Sequence, residues 1–240
     1  MLIVSAKEAA PKMRKLNFTD FLRLFFFLFV TGTVLFVPFP YYFLPDTGGF
    51  FRPYILAFLT FLWQIPTLTL DSDSKGMYLW AVTWAAVSVL AALGYLWGKK
   101  SGKFLVFIQT NFPSFVAFYL SLQLFRYGWD KVFKHQFYLP EPNTLFTPLG
   151  YLDKDILYWS TMGSSYSFTV FGGIMELIPA VLLLFRPTRI IGAAITFGVF
   201  LQVLMINIGF DITVKCLSGF LLLLSFSLLL PSFGVLTFSL

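Results

Sequence analysis

The chain has 240 residues and a formal net charge of +6, with 58% hydrophobic residues and 12% charged ones, where a soluble domain carries about 25% charged residues. A mean hydropathy of +0.81 and 20% aromatic residues exclude a soluble core of this length and point to lipid-facing helices with Tyr and Trp at the interfaces. Cys216 and His135 are the only residues of their kinds, which excludes an intrachain disulfide, a CxxC relay, an iron–sulfur centre and a bis-His haem.

The first twenty residues are polar and basic, with Lys7, Lys12, Arg14 and Lys15, and the apolar run 21–44 follows without a small-residue cleavage pattern. It reads as a retained transmembrane helix. Pro38, Pro40, Pro45 and the Gly48-Gly49 pair are expected to end that helix and open a loop. Segment 53–70 is apolar but short, and it runs through Gln64-Ile65-Pro66 into the polar stretch Asp71-Ser72-Asp73-Ser74-Lys75. Further spans are expected at 78–97, 104–125, 166–185, 190–210 and 217–238, each near the ~20 residues that cross a bilayer.

Charge bias decides the topology. With 53–70 kept on one side, as an interfacial or re-entrant segment, Lys7, Lys12, Arg14, Lys15, Lys99, Lys100, Lys103, Arg186 and Arg189 share one face. The opposite loops then hold Asp46, Asp71, Asp73, Asp130, Glu141, Asp153, Asp155 and Asp211 beside fewer bases. The positive-inside rule puts the basic face in the cytoplasm. The expectation is an all-α polytopic protein of the bacterial inner membrane, with six transmembrane helices and both termini cytoplasmic. The basic excess then faces anionic lipid headgroups, the expected surface partners, and with no clustered basic patch on a soluble surface, nucleic acid is excluded.

The longest hydrophilic connection, 126–163, is rich in aromatic residues, among them Trp129, Phe133, Phe137, Tyr138, Tyr151, Tyr158 and Trp159. Two readings are open: a simple interfacial aromatic belt, or a lid over the outer mouth of the bundle with Gly150 and Gly163 as pivots.

Glu176 lies inside an apolar span, thirteen residues beyond Gly163 and so roughly 20 Å below the outer end of its helix. Stripping a carboxylate of water there is costly, so it is expected to face the bundle interior and find a partner. Gly172 and Gly173, one turn earlier, either allow close helix packing or leave space for a ligand beside the acid. Lys131 follows the third span and its long stem can return an ammonium to the bundle mouth. Asn207, Asp211 and Lys215 recur every four residues, but a chain turn near 209–213 is the expected geometry. They read as a capping and turn cluster, with Asp211 capping the last helix, or as that cluster plus a ligand. The five residues Lys131, Glu176, Asn207, Asp211 and Lys215 are expected to converge between the third to sixth spans, whereas Arg189 is expected to be a dispensable inner-face charge. Ser164, Ser165 and His135 lack a nucleophile elbow, and no P-loop or dinucleotide fingerprint occurs.

These residues also carry a resemblance. Tyr127-Gly128 with Lys131, Gln136-Phe137, Met162-Gly163-Ser164-Ser165-Tyr166, Phe171-Gly172-Gly173 with Glu176, the run from Leu183 to Arg189, and Asn207, Asp211 and Lys215 occur in an order that resembles the DoxX-like family of integral membrane proteins, from Phe104 to Ser232. The resemblance implies a four-helix membrane core over 104–240 with the outer aromatic loop 126–163, preceded by a two-helix extension over 1–103. Within that core a ligand site is expected to which Tyr127, Tyr166, Gly172, Gly173, Asn207, Asp211 and Lys215 contribute, with Glu176 and Lys131 as the acid/base pair. Some members of the wider family are subunits of quinone-linked oxidoreductases; others, more distantly similar, are cargo receptors or assembly factors.

The leading expectation is a membrane subunit, with no intrinsic metal or cofactor, that binds a lipophilic ligand such as a quinone while a partner protein in a membrane complex supplies electrons. The alternative is a non-catalytic assembly, cargo or scaffold factor that binds its partner through the outer aromatic loop.

Overall fold

The computed structural model describes residues 18–36, 47–98 and 103–230. Within them the chain is helical, without strands: α1 (Phe18–Phe36), α2 (Thr47–Trp63), α3 (Lys75–Trp97), α4 (Lys103–Val132), α5 (Pro142–Phe146), α6 (Lys154–Ser164), α7 (Tyr166–Leu184), α8 (Arg189–Gly209) and α9 (Lys215–Leu229), with single 3-10 turns before α6 and α8. Among the described residues, five helices are long and apolar enough to cross a membrane, namely α1, α3, α4, α7 and α8 with its leading turn. Residues of α2 and α9 form shorter apolar helices. The amino-terminal cluster Lys7, Lys12, Arg14 and Lys15, the prolines at 38, 40 and 45, Lys99, Lys100 and the end of the expected last span lie outside the described residues.

Helix α4 packs chiefly on α7, α7 on α8 and α8 on α9, while α1 packs on α3 and on α4. Successive antiparallel passes bring the end of α4, the start of α7, the end of α8 and the start of α9 to one end of the bundle, the cavity end. The α4–α7 contact is close because both helices present glycine: a Cβ on Gly128 would lie 2.8 Å from the Gly173 carbonyl oxygen, and one on Gly173 would lie 2.7 Å from that of Gly128. Two backbones without intervening side chains pack more tightly than Leu or Phe would allow. Ser121 Oγ donates to the Ala180 carbonyl at 2.7 Å, tying the same pair further along. Between α1 and α3 the equivalent close approach is Gly32 against the Trp84 indole, whose Nε1 donates to the Phe29 carbonyl at 3.2 Å.

The structure corrects two expectations. Gly48 and Gly49 lie in the first turn of α2 instead of in a loop. A glycine costs about 1 kcal/mol in a helix interior but less at a fraying end, and packing on α1 and α3 overrides it. The break comes later, where Gln64 takes a left-handed φ of 54° ahead of Pro66. Arg189 is 6% exposed, with Nε donating to the Leu183 carbonyl and Nη1 to Ser114 Oγ at 3.3 Å. Its guanidinium serves the last carbonyls of α7 and bridges to α4, so it is not a free surface charge. Gly163, one of the expected pivots, lies in the last turn of α6, where a Cβ would collide with the Tyr138 carbonyl oxygen, so close packing alone requires a glycine there.

Candidate functional site

Lys131 occupies the last turn of α4, which runs 30 residues and about 45 Å, longer than the expected span. Helix α7 begins at Tyr166 because Ser165 caps it, its hydroxyl accepting from the Phe168 N–H, so Glu176 sits about 15 Å into the helix, shallower than the sequence spacing suggested. Gly128 precedes Lys131 by one turn and Gly173 precedes Glu176 by one turn, so the close approach of the two glycines sets the separation at which lysine and glutamate meet. Lys131 Nζ donates to Glu176 Oε1, and the two side chains are 12% and 5% exposed.

That ion pair forms part of the wall of a cavity of about 320 Å³ between α4, α7, α8 and α9. Its polar lining comprises Arg126, Tyr127, Lys131, Gln136, Tyr158, Glu176, Asn207, Thr213 and Ser218, and its apolar lining includes Phe137, Trp159, Phe200, Val203, Ile206, Leu217 and Leu221. Asn207 Nδ2 donates to Ser218 Oγ at 3.1 Å, joining α8 to α9 beside the cavity. Arg126 and Asp130 approach to 3.6 Å one turn apart on α4. Glu176 Oε2 and Gln136 Oε1 are buried without a hydrogen-bond partner among the described residues.

Residues from the aromatic connection cover the cavity. Phe137 is buried against the Tyr158 and Trp159 rings, and Tyr158 also meets Phe210 at 5.0 Å. Lys134, with a left-handed φ of 60°, donates through Nζ to the Gly163 carbonyl at 3.1 Å and fastens the end of α4 to the end of α6. Burial pushes the Tyr158 phenol above its ordinary pKa, and the nearby Glu176 adds to the shift. The hydroxyl thus stays protonated and available as a donor.

The expected five-residue cluster separates into two parts. Lys131, Glu176 and Asn207 share the cavity, with Tyr127 beside them. Asp211 and Lys215 instead pair with each other at 2.7 Å across the α8–α9 turn, with side chains 81% and 26% exposed, and neither lines the cavity; Ile212, Thr213 and Val214 do. The Lys215 ammonium, by hydrogen bond and by charge, holds the Asp211 carboxyl below its ordinary value. Of the glycine pair, Gly173 is the packing position and Gly172 meets open space, and neither lines the cavity. Tyr166 is exposed under the Lys134 ammonium, away from the cavity.

The cap of α9 is also not the expected residue. Asp73, from the turn before α3, accepts from the Lys215 N–H at 2.7 Å and the Cys216 N–H at 2.8 Å, and the neighbouring Ser72 Oγ donates to the Thr213 carbonyl at 2.5 Å. A carboxylate on two helix N-terminal amides is favoured by hydrogen bonding and by the helix dipole. The sequence around Asp73 signals a cap for α3, a role Ser74 fills, and carries no mark of a partner some 140 residues away. Gln136 was missed as a cavity residue, and Tyr158 was expected only as part of a lid over the bundle mouth, for a similar reason: a polar residue in a long connection gives no periodicity from which its direction can be read.

No family model matches the chain, and no solved structure matches it. The uncharacterized protein YwoB of Bacillus subtilis, strain 168, is similar to it, with 30% identity over 132 residues that cover 55% of this chain and 83% of YwoB. The chain belongs to the same family as YwoB.

Proposed function

We propose that this member of the YwoB family is a membrane subunit, DoxX-like in architecture, that binds a lipophilic ligand of the quinone type and exchanges protons with it through Glu176 and Lys131. The observation that carries the reading is the buried Lys131–Glu176 pair in the wall of an otherwise largely apolar cavity. A quinone takes up two protons for each two-electron reduction, and a carboxyl group beside an ammonium is suited to relay them. With one Cys and one His in the sequence, the electrons come from a partner protein in a membrane complex. The proposed architecture has six spans, α2 being interfacial or re-entrant, with residues 1–103 as an extension and 104–240 as a core of α4, α7, α8 and α9. The proposed location is the bacterial inner membrane, with the cavity end outside and both termini cytoplasmic.

The test is extraction of co-purifying lipids from protein isolated in mild detergent, together with turnover of the partner system. A bound quinone and a loss of turnover in Glu176→Gln are expected. No bound quinone together with unchanged turnover in Glu176→Gln rejects the proposal.

One observation favours a second reading, a non-catalytic assembly or cargo factor. The connection between α4 and α7 exposes a run of large apolar side chains, with Tyr138 at 64%, Phe146 at 87% and Tyr151 at 84%. An apolar surface of this kind suits a partner protein as well as a lipid interface. Photo-crosslinkers at 146 and 151 should capture a discrete protein if this reading holds, and lipid adducts alone if it does not.

A further inference from the structure

Resting on the reading of the cavity as a lipophile site, we infer that it selects an uncharged ligand whose head group donates a hydrogen bond to Glu176. The charges around the cavity cancel in pairs: Lys131 meets Glu176 Oε1, and Arg126 lies 3.6 Å from Asp130. No net charge is left for a charged head group to neutralise, and such a head would lose its hydration on entry. A hydrogen-bond requirement does remain. Lys131 engages one carboxylate oxygen of Glu176, and the other, Oε2, is buried on a residue 4% exposed, with no partner among the described residues. An ionised carboxylate accepts only, so the group that completes it is an O–H or N–H donor. The Gln136 amide, whose Oε1 is also buried and without a partner among the described residues, lines the same cavity and offers a second anchor. Phe200, Leu217 and Leu221 supply the apolar surface for the ligand body. Of a quinone couple, the dihydroxy form offers this donor to Glu176 in its ionised state, whereas the dicarbonyl form can pair with it only once Glu176 carries a proton.

The test uses two probes, para-hexylphenol and para-hexylanisole, in which a methyl group replaces the hydroxyl hydrogen of the first and so removes its donor, titrated calorimetrically into the full chain in detergent against protein-free micelles. The phenol is expected to bind about tenfold more tightly, the scale of one hydrogen bond to a charged acceptor. The difference is expected to vanish in the double variant Lys131→Met/Glu176→Leu, which removes both charges together. Difference infrared spectra of the unmutated protein give a readout that survives a failure of the variant to fold: the phenol shifts a carboxylate band and the anisole does not. Equal affinity of the two probes overturns the donor requirement and leaves the lipophile site standing. Binding of neither overturns both. A preference that persists in the folded double variant, or a carboxylate band unmoved by the phenol, overturns the assignment to Glu176.

Discussion

Replacing Glu176 by leucine alone leaves the Lys131 ammonium, itself 12% exposed, in a low-dielectric wall without its counter-charge. The expected loss is about 3–5 kcal/mol, the cost of an uncompensated buried charge. The double variant with Lys131→Met should recover most of it, since two apolar side chains of similar size need no partner. Thermal unfolding in detergent, run as a double-mutant cycle, measures the difference, and two additive single losses would show that the residues do not interact. Arg189 makes a parallel case. Arg189→Ala removes the donor that satisfies the Leu183 carbonyl and the bridge to Ser114, so it should lower stability by about 1–3 kcal/mol. From sequence, Arg189 looked like an ordinary charge on the basic face. The partners that make it structural lie on α4 and at the end of α7, and no local pattern announces them.

At the scale of elements, the α4–α7 contact and the α9 cap make separate predictions. Gly173→Ala pushes a methyl group toward a backbone carbonyl that cannot rotate away, so it should separate the helices, cost about 1–3 kcal/mol and loosen the Lys131–Glu176 pair. Gly172→Ala meets open space and should be neutral or slightly stabilising, through helix propensity alone. Asp73→Ala should cost about 1–2 kcal/mol by freeing the first amides of α9. It should also speed amide exchange across 211–216, the turn that supplies Ile212, Thr213 and Val214 to the cavity. Most of the helices were legible in the sequence because continuous apolar runs of bilayer length admit few other structures: the observed bounds of α3, α7 and α8 fall within a few residues of the expected ones. The two ends of α2 were not, because proline and glycine mark a break without fixing on which side of it the helix forms. Glu176 and Lys131 were legible as partners since each is an ionisable group that apolar surroundings compel to pair. Asp211 and Lys215 were placed with them by topology, since the expected turn brings both to the same end of the bundle; the turn forms, with Asp211 at a φ of 54°, but it pairs the two with each other beside the cavity instead of within it.

The whole molecule distributes its charge unevenly between its two ends, which gives the orientation a direct test. Among the described residues, Asp71, Asp73, Asp130, Glu141, Asp153, Asp155 and Asp211 lie at the cavity end beside Lys75, Lys131, Lys134, Lys154 and Lys215, whereas Lys103, Arg186 and Arg189 lie at the other without an acidic neighbour in their connections. The basic segments 7–15 and 99–103 belong to the second end if the helices alternate as proposed, and that end then carries the larger share of Lys and Arg, the side retained in the cytoplasm. In a Cys216→Ser background, Tyr151→Cys is expected to react in intact spheroplasts with a membrane-impermeant maleimide, because the Tyr151 side chain is 84% exposed at the cavity end. Arg186→Cys should react only after the membrane is permeabilised. The reverse pattern would invert the protein and open the cavity to the cytoplasm, so that protons exchanged at Glu176 would come from the other side of the membrane. Equal labelling at both positions before permeabilisation would be incompatible with a single span between 151 and 186 and a cytoplasmic Arg186, leaving α7 as a helix that lies along the membrane instead of crossing it.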